Sequence, residues 1–209
     1  MTKLVSAPLH KTHAELLFEQ EAEFRKETIY FVVIDRFFNG NTENDGVSKK
    51  GLYDAAHQQW GHYWGGDLEG IIAKADYLEA LGVTAVWLSP LFEQVDDIEH
   101  GHGPMHGYWT RDFKRVNPHF VKLGESTSLR SCTTLQRMIE ALHERGIRIV
   151  LDIVCNHSSP DLHGSKGVVT DDGKPLADFH NDSNQFYHHY PVITDWNDEH
   201  QLIHHEMLG

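Results

Sequence analysis

Residues 148–157 read Arg-Ile-Val-Leu-Asp-Ile-Val-Cys-Asn-His, and the fold is decided by how this run is read. Val150, Leu151, Ile153 and Val154 have the apolar, β-branched character of a strand buried on both faces, as in a parallel sheet. Asp152 interrupts them, and a carboxylate buried there without donors would carry a heavy desolvation cost. Asn156 and His157 fall where the strand should end, just before the turn-forming Ser158-Ser159-Pro160. Polar groups at the carboxyl end of a buried parallel strand are where α/β folds place ligands. We therefore read a functional strand end; the plainer alternative is a satisfied structural Asp with a capping Asn-His pair.

Two further strands lie upstream. Residues 29–34 (IYFVVI) form an unbroken β-branched and aromatic run, followed by Asp35-Arg36 and a polar loop over 39–46. Residues 83–88 (VTAVWL) form the second, stopped by Ser89-Pro90. Between them Asp67 suits a helix N-cap, and Leu68, Ile71, Ile72, Ala75, Leu78 and Leu81 make one helical face that ends at Gly82. After a long polar segment over 93–107, Thr133 and Gln136 fit a capping box, with Leu135, Met138, Ile139 and Leu142 as the apolar face and Gly146 as the stop. Strand, helix, strand, helix, strand predicts an α/β parallel sheet with right-handed crossovers. Residues 13–26 are read as a peripheral helix, and 158–209, rich in Gly, Asp, Asn, His and aromatics, as an irregular insertion.

Composition narrows the function classes. The 209 residues carry a formal net charge of −13, which argues against nucleic acid or an anionic membrane surface as partner. Protonating all 17 histidines would take that charge to +4, so acid should matter to solubility and stability. Cys132 and Cys155 give neither a disulfide framework nor metal-ligand spacing. Neither a signal-peptide core nor a membrane span is legible, so the expected location is cytoplasmic.

Four segments point the same way: IYFVVIDRFFNGN, GGDLEGI…LGVTAVWLSPLF, HGYWTRDF…VNPHF and GIRIVLDIVCNH. In order and spacing they resemble the alpha-amylase family of glycoside hydrolases and transglycosylases, which includes the cyclodextrin glucanotransferases. The resemblance implies an incomplete (β/α)8 TIM barrel, with its first three strands and their helices over 29–157. It also implies an N-terminal peripheral segment over 1–28 and, over 158–209, part of the domain B that protrudes between strand 3 and helix 3. The family's Asp nucleophile, Glu acid/base and transition-state Asp belong to strands 4, 5 and 7, and no segment here matches them. Retaining hydrolysis needs two carboxyls about 5–5.5 Å apart, and no such pair is nominated.

By the same resemblance His157 hydrogen-bonds the sugar at the cleavage point, and Tyr108 stacks on it, covering the apolar face of a pyranose with its ring. Asp152 supports the active site without attacking. Asn156 matches a calcium ligand between domains A and B. Asn39, Asn41, Asn44 and Asp45, with Gly65 and Asp67, match an additional calcium site of cyclodextrin glucanotransferases, although Asn39 stands where an Asp is usual. An EF-hand is excluded because the twelfth position counted from Asn41 is Leu52. The plainer reading of this cluster is an Asn/Gly turn capped by Asp67. His100 and His102, His188 and His189, and His204 and His205 are read as solvated surface, because none of these pairs has the His-x3-His helical spacing of a zinc site or a Cys partner. The expected partners are an α-glucan and the remainder of the barrel. The alternative is a non-catalytic carbohydrate- or partner-binding protein on a truncated fold.

Overall fold

The structure is a computed structural model that describes residues 24–47, 51–98, 101–159, 164–183 and 185–205. Most of the helix expected over 13–26, and His100, lie outside those residues. In chain order the elements are β1 (Ile29–Val32), α1 (Ile34–Phe37), α2 (Leu68–Ala73), α3 (Ala75–Ala80), β2 (Ala85–Leu88), β3 (Phe92–Gln94) and β4 (Thr110–Val116). They continue with α4 (Thr133–His143), β5 (Arg148–Leu151), β6 (Val168–Asp171), β7 (Lys174–Asp178) and α5 (Glu199–His204).

The three strands expected to run parallel do so, in the order β1-β2-β5, with Phe31, Trp87 and Val150 level across the sheet. Side chains alternate between the faces of a strand. Val32, Val86 and Leu88 therefore point into one core with Leu68, Ile71 and Leu78 of α2 and α3 and Leu135, Met138 and Leu142 of α4. The opposite face is open, with Phe31 and Trp87 over 40% exposed. This corrects the expectation of burial on both faces for residues 150–154. The strand ends at Leu151, and Leu151 and Ile153 are exposed at an uncovered edge.

Other boundaries differ for local reasons. The helix expected from Asp67 to Gly82 is broken at Lys74, whose backbone leaves helical geometry between α2 and α3. Asp67 does cap α2, accepting from the Gly70 amide at 2.7 Å. Gly82 and Gly146 take left-handed conformations after α3 and α4, which glycine adopts without steric cost. The capping box at Thr133 does not form. The Glu125 carboxylate reaches across sequence instead and accepts from the amide and the hydroxyl of Thr134, both at 2.7 Å.

The segment after 158 is not irregular throughout. Val168–Asp171 and Lys174–Asp178 form an antiparallel hairpin that joins β3 and β4 in a second sheet, ordered β3-β4-β6-β7. This sheet crosses the 157/158 boundary of the sequence reading. Asp112 of β4, fully buried, makes the junction. Its carboxylate accepts from the Thr170 hydroxyl and the Gly173 amide at 2.7 Å, the Lys114 amide at 2.9 Å and the Asp172 amide at 3.2 Å.

Candidate functional site

The loops that follow β1, β2 and β5 leave the same end of the parallel sheet, and the candidate site forms there. Asp152 is the first residue beyond β5, half-buried, with its amide still donating to the Leu88 carbonyl. Its Oδ2 accepts from the Tyr108 hydroxyl at 2.9 Å and from the Trp87 indole at 3.3 Å. Burial first, and then the hydrogen bond to Asp152, push the Tyr108 phenol up to about 12, so it stays a proton donor across the biological range. Trp87 in turn packs edge-on against Phe31, with ring centroids 4.9 Å apart.

His157 closes the cluster. The Asn156 amide nitrogen lies 2.7 Å from His157 Nδ1 and can only donate, so Nδ1 accepts. Nε2 then carries the proton and donates to the Tyr108 carbonyl at 3.0 Å. Both ring nitrogens are engaged, so a sugar hydroxyl would exchange with one of these bonds. The neighbouring His106 accepts from the Tyr108 amide at 2.9 Å and stacks beside its ring, with centroids 5.7 Å apart. Burial first, and then the nearby His102, Arg36 and His157, hold His106 down at about 4, so it is a neutral acceptor.

Tyr108, Asp152 and His157, nominated from the sequence, are thus brought together across 49 positions. Two partners were missed. Trp87 reads only as a strand residue, although alternation places it on the face opposite Val86 and Leu88. His106 was missed because it reads as one histidine among many. Among these residues Asp152 is the carboxylate bonded to the site, and its donors come from aromatic side chains rather than from a second acid.

The loop over 39–67 forms a separate oxygen cluster. Asp67 is buried and saturated: Oδ1 accepts from Gly40 and Gly70 amides, and Oδ2 from the Asn41 amide and Asn44 Nδ2, at 2.7–3.1 Å. With four donors satisfied, Asp67 acts as a structural cap, and a cation there would have to displace one of these bonds. Asn41 is likewise turned to the Glu43 amide. By contrast Asn39 Oδ1 and Asn44 Oδ1 are buried without a partner. Asp45 sits beside them, bonded to Asn39 Nδ2 and to the Tyr53 hydroxyl, both at 2.8 Å. Gly65, at φ +93°, approaches so closely that a Cβ there would lie 2.4 Å from Asn39 Nδ2. Unpaired amide oxygens next to a carboxylate are the hard donors a calcium ion takes, so this part of the nominated set fits.

Asn156 is exposed, with its amide nitrogen turned to His157. Among the described residues no group of three or more His, Cys, Asp or Glu side chains is placed to hold a metal. A histidine pair outside those considered from the sequence, His200 and His204, stands four apart on α5 with ring centroids 4.5 Å apart.

The sequence model for the alpha-amylase catalytic domain matches residues 31–201. The chain belongs to the alpha-amylase family. Among relatives, it is 37% identical over 179 residues to a cyclomaltodextrin glucanotransferase of Thermoanaerobacterium thermosulfurigenes, which covers 80% of this chain and 24% of the relative. It is 34% identical over 197 residues to the enzyme of that name from Klebsiella oxytoca, covering 91% and 28%. The chain therefore spans about a quarter of the length of these relatives. The solved structure of CldA, described as a cyclomaltodextrin glucanotransferase with a three-domain distribution, superposes with a TM-score of 0.73 at 38% identity, over 87% of this chain and 37% of that one. These similarities and the three parallel strands agree with a partial (β/α)8 barrel.

Proposed function

We propose that this chain is the N-terminal portion of an alpha-amylase-type glycosidase or transglycosylase acting on α-1,4-linked glucans such as starch and maltooligosaccharides. The observation that carries the reading is the Trp87–Asp152–Tyr108–His157 cluster at the carboxyl end of the parallel strands. Tyr108 offers an aromatic face to a glucosyl ring, His157 offers hydrogen bonds to its hydroxyls, and Asp152 fixes the angle of the tyrosine. A retaining mechanism needs a nucleophile and an acid/base carboxyl about 5–5.5 Å apart, which this cluster does not contain. The bond-breaking carboxylates would come from the remainder of the barrel, and the chain alone should bind glucan without cleaving it. A calcium ion held by Asn39, Asn44, Asp45 and Gly65 would supply positive charge that ties the first loop together.

The test pairs binding with turnover. Calorimetric titration of the chain with maltose should show binding that Tyr108→Ala abolishes and His157→Ala weakens, while reducing-sugar assays on starch stay at background. Starch hydrolysis by the chain that is indifferent to His157→Ala would sink the assignment. Maltose binding without turnover in every preparation that contains the whole barrel would favour the non-catalytic reading.

A further inference from the structure

The loop after β1 carries an aromatic group that the cluster around Tyr108 does not use. Trp60 is 64% exposed, yet its backbone is held firmly. The Arg36 guanidinium donates to the Trp60 carbonyl at 2.5 Å and to the His62 carbonyl at 2.9 Å. Just upstream the Asp54 carboxylate gathers the amides of Ala56, Gln58 and Gln59 at 2.6–3.0 Å. Trp64 meets Trp60 edge-on at 5.6 Å between centroids, carries His57 stacked on it at 5.0 Å, and has Arg36 4.1 Å from its centroid. Arg36 lies 5.2 Å from the centroid of Trp60, and with these contacts the residue still keeps most of its surface exposed. A large side chain is thus presented by a well-braced loop without being buried.

Its position gives the braced indole a use. The loop leaves the carboxyl end of β1, so it belongs to the same end of the sheet as Tyr108 and His157. It is tied to the segment leading into Tyr108: the Gly103 amide donates to the Gly61 carbonyl at 2.6 Å, and a Cβ on Gly61 would lie 2.7 Å from His102 Nδ1. His106 then links that segment to Tyr108 by ring stacking. We propose that Trp60 is an outlying glucosyl platform that holds a longer α-glucan by a unit remote from the one on Tyr108. An indole face covers the C–H face of a pyranose, and the fixed loop spares most of the ordering cost. The proposal rests on the glucan-binding reading of the Tyr108 site.

The test titrates the full chain with maltose and with maltoheptaose, by calorimetry and by the indole N–H resonances of the 15N-labelled protein. Wild type should bind maltoheptaose more tightly than maltose, and maltoheptaose alone should shift the Trp60 resonance. Trp60→Ala should weaken maltoheptaose about tenfold and leave maltose within about twofold, with Trp60→Phe recovering most of the loss. Equal maltoheptaose affinity in wild type and Trp60→Ala, or an unmoved Trp60 resonance at saturation, overturns the platform while the Tyr108 site stands. No binding of either sugar by wild type overturns both. If Trp60→Ala lowers the melting temperature, the resonance shift and Trp60→Phe decide.

Discussion

At the scale of single residues, Asp152 shows how an ambiguous carboxylate acquires a role. It looks catalytic in the strand pattern, but two aromatic donors converge on one of its oxygens. Asp152→Ala would leave the Tyr108 hydroxyl and the Trp87 indole without their acceptor, and maltose affinity should fall about tenfold with little change in melting temperature. Histidines supply the pH dependence. His119 is buried and stacked on Tyr63, with centroids 3.8 Å apart, and burial holds it at about 4, as it does His106. The folded chain keeps both neutral while the unfolded chain protonates them near 6.5. Between pH 6.5 and 4 the unfolded state therefore binds more protons, and stability should fall with pH by about 1.4 kcal/mol per unit for each group. Chemical denaturation across that range should show the decline, shallower in His119→Phe; a flat profile would contradict it.

Elements are joined here by buried carboxylates as much as by apolar faces. Asp112 is the clearest case. Burial pushes its carboxyl up, but the Thr170 hydroxyl and three backbone amides outweigh that and hold it below the usual value. Its contribution is present above the unfolded carboxylate range and is lost as pH falls through the depressed folded value. Asp112→Ala should release the β6–β7 hairpin at a cost of about 2–4 kcal/mol, seen as new protease cleavage over 168–178 while α4 stays protected. Leu142→Ala, in the core between α4 and the sheet, should instead lower global stability by about 2–5 kcal/mol. The helices and parallel strands were legible because their spacing is local. The hairpin was not, since its pairing with β4 depends on Asp112, some sixty positions away. Nor was the Glu125 cap, which lies outside the helix it serves.

For the whole molecule, the consequence is an unfinished sheet. β1 and β5 are its edges, and Phe31, Trp87, Leu151 and Ile153 are exposed on or beside it. Alone, such a surface favours self-association, which light scattering should detect as concentration-dependent growth in mass. Calcium should raise the melting temperature, by an increment equivalent to about 2.7 kcal/mol at a hundredfold excess over Kd. Asp45→Ala should abolish the rise; Asp67→Ala discriminates less well, because Asp67 holds four donors whether or not an ion is bound. The sequence by itself determined the three parallel strands and their two helical crossovers, whereas Tyr108, Asp152 and His157 were nominated through the resemblance to the family. Periodicity and motif order are written along the chain, and those features need nothing else. Only the tertiary structure decided that one face of the sheet is open, that Trp87 and His106 join the cluster around Tyr108, and that Asp67 also gathers the Gly40 and Asn41 amides and Asn44 Nδ2. Each of those depends on which donors and rings meet across long separations, and a carboxylate's role follows from its neighbours in space.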